Sequence, residues 1–151
     1  MRDRELPLPV QLYVSSMAAP QLPRRLSPLT DLDDAPFLQA MTERFGLPSQ
    51  DTAHRTLMEA LLPQLRRDLA LVETYQYSEG PPLACPLMAT GGRDDQAVNM
   101  SELAAWRAQT SAAFSQRMFP GHHFYLDSAG ASLRKVILSR LAALVRDAGE
   151  A

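Results

Sequence analysis

The chain has 151 residues, of which 46% are hydrophobic and 21% are charged, and its formal net charge is −2 at pH 7. This balance is typical of one soluble globular domain and argues against a disordered chain or an electrostatic nucleic-acid partner. The single cysteine excludes an intramolecular disulfide, and no apolar stretch has the ~20 residues of a membrane span or the core of a signal peptide. We therefore expect a cytoplasmic protein with no membrane partner.

The first half of the chain predicts one strand, a proline-rich loop and two helical segments. Apolar and polar residues alternate in LPVQLYVSS (8–16), which predicts a short strand. After the loop, Asp33 or Asp34 can cap a helix. A longer helical region runs from about Thr52 to Tyr75, and Pro63 is expected to kink it or divide it in two.

The second half predicts strands that alternate with helices. CPLMAT (85–90) and the segment 114–119 have the length and composition of strands. MSELAAWRAQT predicts a helix with Ser101 as its cap, and 131–148 predicts an amphipathic helix. This alternation indicates an α/β fold with about three parallel strands and flanking helices.

The helical stretch between the first and second strands, about 33–75, is too long for a simple crossover, and we interpret it as an inserted lid. Parallel strands are normally buried on both faces, and three strands leave long exposed edges. We therefore interpret residues 1–151 as one partial domain, the second half of a larger α/β domain.

Two polar motifs follow the second and third predicted strands. GGRDDQAV carries Asp94 and Asp95, and FPGHHFYL carries His122 and His123. In open parallel sheets, functional groups gather at the carboxyl ends of the strands. A carboxylate that accepts a hydrogen bond from one histidine nitrogen leaves the other nitrogen free to act as a base. Each motif taken alone is also ordinary turn chemistry.

Other roles for these residue types carry less weight. The four side chains are possible metal ligands, but adjacent ligand pairs diverge, so we do not favour a metal. No GxSxG nucleophile elbow occurs in the sequence. Ser15 and Ser16 lack flanking glycines, and we interpret them as polar residues at a strand end. Cys85 lies at the start of its strand, the wrong end for the active site, and is interpreted as a small buried residue.

Taken together, GGRDDQAV, SELAAWRAQT and FPGHHFYL resemble the C-terminal half of type II thioesterases, which are α/β-hydrolases of polyketide and nonribosomal peptide assembly lines. The VSS strand, the APQLP loop and LLPQLRRDLALVETYQY are also similar to this family, so the resemblance covers nearly the whole chain. Asp95 matches the family's triad acid, and His123 matches its general base. His122 stands where the family usually has a second glycine, which leaves open which histidine is the base.

The resemblance implies a thioester hydrolase that removes acyl groups from the phosphopantetheine arms of carrier proteins and needs no cofactor of its own. Asp95 and His123 would be its catalytic acid and base. Because the serine nucleophile is absent, the isolated chain is expected to be inactive. Its partners would be acyl or peptidyl carrier domains, together with a missing N-terminal half or a second copy.

The resemblance also implies an acyl channel roofed by the lid. Apolar lid residues are candidates for its lining, although such stripes are more often core: Phe37, Met41, Phe45, Met58 and Leu61. Arg66 and Arg67 are candidates to meet an acidic carrier. The alternative function is a non-catalytic interaction module, or one half of a split thioesterase that needs a partner chain.

Overall fold

The structure, a computed structural model, describes residues 7, 9–46 and 52–149. Three strands pair in parallel in the order in which they occur in the chain: β1 (Leu12–Ser15), β2 (Leu87–Gly92) and β3 (Phe114–Phe119). The predicted α/β fold with a three-stranded parallel sheet is therefore confirmed. The third strand has its predicted bounds, whereas the first begins four residues later than predicted, and position 8 lies outside the described residues. Because β2 and β3 are neighbours, the loops that follow them lie side by side.

Four α-helices occur in the described ranges: α1 (Asp34–Phe45), α2 (Thr52–Glu73), α3 (Met100–Ala104) and α4 (Leu126–Gly149). A 3-10 helix, Ala105–Gln109, continues α3. The lid prediction, 33–75, includes α1 and α2, and its positions 47–51 lie outside the described residues. No helix in the described part of the chain is long and apolar enough to cross a membrane.

Two local predictions for the helices need correction. Division of the helical region at Pro63 was wrong, because α2 continues through Pro63 as one helix, whereas a kink there stays a prediction. The cap of α3 is Asn99 rather than Ser101: the Asn99 side chain accepts from the Glu102 backbone N–H, and the Glu102 carboxylate accepts from the Asn99 N–H. This reciprocal pair satisfies two N–H groups at the start of the helix, so the helix begins at Met100, two residues earlier than a cap at Ser101 would allow.

The central strand of the sheet, β2, is buried on both faces. Leu87 and Ala89 of β2 pack with Val98 and Leu103 in a buried cluster on the α3 side. Thr90, whose side chain points to the opposite face, contacts Tyr125 at the start of α4. Burial on both faces is what a parallel sheet requires, and it fixes where the loops after β2 and β3 emerge.

Helices α1 and α2, which we call the helical pair, have a core of their own. Phe37 and Met41 of α1 are buried with Leu29, and partly buried leucines of α2 pack against them. The Arg66 guanidinium lies 4.4 Å from the centroid of the Phe37 ring and also hydrogen-bonds the Thr30 and Leu32 carbonyls. The Arg66 guanidinium is therefore occupied by contacts within the chain, which argues against the carrier contact suggested above.

Glu73, at the end of α2, fixes the proline-rich loop that follows β1. Its carboxylate accepts from the Leu29 N–H at 2.7 Å and from the Thr30 hydroxyl at 2.6 Å, while Arg24 donates to the Glu73 backbone carbonyl. Burial alone would raise the pKa of Glu73, but these hydrogen bonds and the nearby Arg24 outweigh it and lower the pKa. The loop is thereby attached to the helical pair.

Candidate active site

Asp95 lies in a tight turn three residues after the end of β2. Its side chain is 1% exposed. One carboxylate oxygen, Oδ1, accepts from the backbone N–H groups of Ala97 (2.8 Å) and Val98 (3.1 Å). This turn satisfies Oδ1 from within the local sequence and leaves Oδ2 for a longer-range partner.

Gly92 allows the loop after β3 to cross directly over the end of β2. A Cβ atom at position 92 would lie 2.1 Å from the His122 carbonyl oxygen and 2.3 Å from that of Gly121. The two loops are joined by backbone hydrogen bonds from the Arg93 N–H to Phe119 O (2.8 Å) and from the Asp94 N–H to Gly121 O (3.0 Å). Such a close backbone approach requires a residue without a side chain.

His123 meets Asp95 across this crossing. Its Nδ1 lies 3.0 Å from Asp95 Oδ2. Since an ionised carboxylate can only accept, Nδ1 carries the proton and Nε2 presents a lone pair. The imidazole is 18% exposed, and the edges of the Phe45 and Phe124 rings contact it, with centroids at 4.8 and 5.1 Å. The structure thus brings together one aspartate and one histidine with the orientation that general-base chemistry needs.

Asp94 and His122 have a different arrangement. Both are exposed, and His122 Nδ1 lies 3.1 Å from the backbone carbonyl of Asp94 rather than from a carboxylate. Their contact joins the two loops without forming a carboxylate–imidazole pair. Among the described residues, no group of three or more histidine, cysteine, aspartate or glutamate side chains is placed to hold a metal ion.

The end of β1 supplies polar groups that sequence reasoning treated as incidental. Ser16 Oγ donates to the His123 carbonyl oxygen at 3.0 Å, and Ser15 Oγ lies 2.9 Å from Tyr125 Oη. Tyr125 Oη in turn donates to Thr90 Oγ1 at 2.8 Å. The available signal was their position: they end the strand beside β2, where functional groups gather. Cys85 is buried, as predicted, and precedes β2.

An apolar cavity of about 610 Å³ opens beside His123. Its walls are the loop after β1, the end of α2 together with Tyr75 beyond it, and the region of Trp106. Phe45 is the one predicted lining residue that reaches it. Phe37 and Met41 instead lie in the core of the helical pair, and neither Met58 nor Leu61 is among the lining residues.

The physical reason for this difference is the direction of each helical face. The buried positions of α1 point toward α2 and Leu29, so they stabilise the helical pair and leave the cavity to its C-terminal residues. The residues of α2 that do reach the cavity include Leu71 and Val72, which are 73% and 48% exposed. Exposed apolar side chains around a concave surface are typical of a ligand pocket.

Comparisons with known proteins place this geometry in context. The profile of the thioesterase domain family matches residues 2–142. The gramicidin S biosynthesis protein GrsT of Aneurinibacillus migulanus is 40% identical over 118 residues, 78% of this chain and 46% of that protein. The thioesterase PikA5 of Streptomyces venezuelae is 38% identical over 120 residues, 79% of this chain and 42% of that protein.

A solved structure gives the same picture. The RedJ thioesterase from the prodiginine biosynthetic pathway of Streptomyces coelicolor is 32% identical, with a TM-score of 0.79 over 94% of this chain and 52% of that one. The chain spans about half the length of the curated relatives it matches.

Proposed function

Because this chain belongs to the thioesterase domain family, we propose that it supplies the acid and the base of a Ser-His-Asp thioester hydrolase. The observation that carries the proposal is the 3.0 Å contact between Asp95 Oδ2 and His123 Nδ1 beside an apolar cavity. Asp95 holds the imidazole in one tautomer, and His123 presents Nε2 as the base. The nucleophile is supplied by residues outside these 151, since the sequence has no GxSxG elbow.

Each chemical step uses the same nitrogen. Nε2 of His123 accepts the proton of the nucleophile's hydroxyl as its oxygen attacks the thioester carbon, and then donates that proton to the departing sulfur. Nε2 next takes a proton from water, whose oxygen attacks the acyl carbon. The bond from that carbon to the nucleophile's oxygen then breaks, this oxygen takes the proton from Nε2, and the carboxylic acid is released. Asp95 stabilises the imidazolium that forms in both halves of the reaction.

The cavity suits an apolar acyl group. His123 is one of its lining residues, and alanine, leucine, proline and aromatic side chains form most of its walls, so an acyl chain can bind there with its carbonyl near the base. We propose that the helical pair acts as a lid through the end of α2 and Phe45. GrsT and RedJ are named for gramicidin S and prodiginine biosynthesis, which supports acyl or peptidyl carrier domains as the source of the thioester.

A second polypeptide with a different sequence is the alternative source of the missing part. In the part of the chain that the structure describes, β1 pairs with β2 alone, which leaves its outer edge open. The buried Tyr13 hydroxyl has no hydrogen-bond partner among the described residues. A strand added along this edge would satisfy the backbone groups of β1. This favours a split thioesterase over a free-standing interaction module.

The test is complementation. The chain is mixed or fused with the nucleophile-bearing half of a relative such as RedJ, and thiol release from an acyl N-acetylcysteamine thioester is followed. We expect the chain alone to match buffer and the combination to hydrolyse the ester. We expect Asp95→Asn to reduce kcat by about 10³–10⁴-fold, because the imidazole then loses its tautomer.

Two neighbouring residues provide matched controls. Asp94→Asn and His122→Ala change the same residue types one position away, and both should retain kcat within about threefold, since neither side chain forms the carboxylate–imidazole pair. His123→Ala should abolish hydrolysis. Activity that survives His123→Ala, or turnover by the chain alone that needs Asp95, would contradict the proposed division of roles.

A further inference from the structure

Ser16 connects the end of β1 to the loop that carries His123. Its hydroxyl donates a 3.0 Å hydrogen bond to the His123 carbonyl oxygen, and its backbone N–H donates a 2.9 Å bond to Thr90 O of β2. Ser16 is 9% exposed, so water competes little for the carbonyl. One residue therefore links β1, β2 and the main chain of the proposed base.

The backbone of Ser16 is in a conformation that serine rarely adopts. Its φ is +46°, and it is the one residue other than glycine with a positive φ among the described residues. The Cβ atom makes this left-handed region unfavourable for an L-residue. Strained conformations of this kind persist where surrounding contacts hold them, and they cluster at functional sites. A glycine would relieve the strain but would lose the hydroxyl.

We propose that Ser16 is a positioning residue for His123: its hydroxyl holds the His123 carbonyl so that Nδ1 stays on Asp95 Oδ2. The inference rests on the proposed function, in which His123 is the base. The Ser16 hydroxyl donates its hydrogen bond to the His123 carbonyl, so it acts on the imidazole ring through the main chain. Asp95 is itself fixed by the N–H groups of Ala97 and Val98. The placement of the His123 main chain therefore determines the distance between Nδ1 and Asp95 Oδ2.

Ser15 provides the matched control. It is the adjacent serine at the same strand end, but its hydroxyl lies 2.9 Å from Tyr125 Oη, whereas that of Ser16 bonds the His123 carbonyl. Ser15→Ala therefore removes a hydroxyl from the same strand end without touching the carbonyl of the base. Ser16→Gly removes the critical hydroxyl while its backbone suits a positive φ, so this variant should fold at least as well as the wild type.

The experiment measures the solvent-exchange rate of the His123 Nδ1 proton by NMR in the 151-residue chain. We expect Ser16→Gly to raise this rate about tenfold, the factor that corresponds to one lost hydrogen bond. Ser16→Ala should raise the rate similarly and also lower the unfolding midpoint, because alanine loses the hydrogen bond without relieving the strain of the positive φ. Ser15→Ala should leave the rate within twofold of the wild type. Exchange in Ser16→Gly equal to that of the wild type would overturn the proposal.

Kinetics of the complemented enzyme separate this inference from the proposed function. If Ser16 positions the base, Ser16→Gly lowers kcat about tenfold with KM unchanged. Equal kcat values for Ser16→Gly and the wild type would refute the positioning role of Ser16. They would leave the assignment of Asp95 and His123 as acid and base unchanged. A complemented wild-type enzyme without turnover refutes the proposed function, while the exchange rates still decide whether Ser16 positions the ring.

Discussion

Gly92→Ala tests the crossing of the two loops that bring Asp95 and His123 together. The added Cβ would lie 2.1 Å from the His122 carbonyl oxygen, and an ordinary carbon–oxygen contact is ~3.3 Å, so the loop after β3 must move by about 1.2 Å. Overpacking of this kind costs about 1–3 kcal/mol. The bonds at 2.8 and 3.0 Å between the loops would be lost as well, at about 1 kcal/mol each.

The expected loss of unfolding free energy is therefore about 3–5 kcal/mol, measured by urea denaturation of the 151-residue chain. In a chain of this length such a loss corresponds to a fall in Tm of about 10 °C. Because the movement separates the base from its acid by about 1 Å, the complemented enzyme should lose about 10²-fold in kcat.

Gly130→Ala is the matched control for this substitution. Gly130 lies inside α4, and a Cβ added there meets nothing within 4 Å. Alanine has the higher helix propensity, so this variant should gain about 0.5–1 kcal/mol. If Gly92→Ala stayed within about 0.5 kcal/mol of the wild type, the crossing would not need glycine and the geometric argument would fail.

Three further substitutions test other parts of the structure. Glu73→Gln should destabilise the chain by about 1 kcal/mol at pH 7. The folded pKa of Glu73 lies below its ordinary 4.5, so its stabilisation is present above that value and is lost as the pH falls through the lowered pKa. The unfolding free energies of both proteins, measured by parallel urea titrations, should therefore converge as the pH is lowered, and a constant gap would be the contrary result. Tyr125→Phe should lower the free energy of unfolding by about 1–2 kcal/mol, because the buried Thr90 hydroxyl loses the hydrogen bond that the Tyr125 hydroxyl donates. A Tm equal to that of the wild type would contradict this account. Asn99→Ala should cost about 1 kcal/mol through loss of the α3 cap, whereas Ser101→Ala should be nearly neutral by the same thermal melt.

The sequence alone was sufficient to predict the architecture and to identify the family. Alternation of strand and helix patterns predicted the parallel sheet, and polar motifs after neighbouring strands predicted that Asp95 and His123 would lie near each other. The resemblance to type II thioesterases is confirmed by the family match and by the relatives. These features are encoded locally, in periodicity and in short motifs, so they can be recognised without knowledge of the tertiary structure. The catalytic roles of the two residues stay a prediction.

Only the tertiary structure decided which side chains meet. Asp94 and Asp95 are chemically identical in sequence, but the turn after β2 buries only Asp95 and points it at His123. Phe37 fitted the pattern of a channel wall, yet the packing of α1 on α2 places it in the core of the helical pair. Ser16 had no motif at all, because its partner is 107 residues away in the chain. Contacts of this kind depend on how strand ends and helical faces are oriented in space, and residue type and local periodicity carry no information about that orientation.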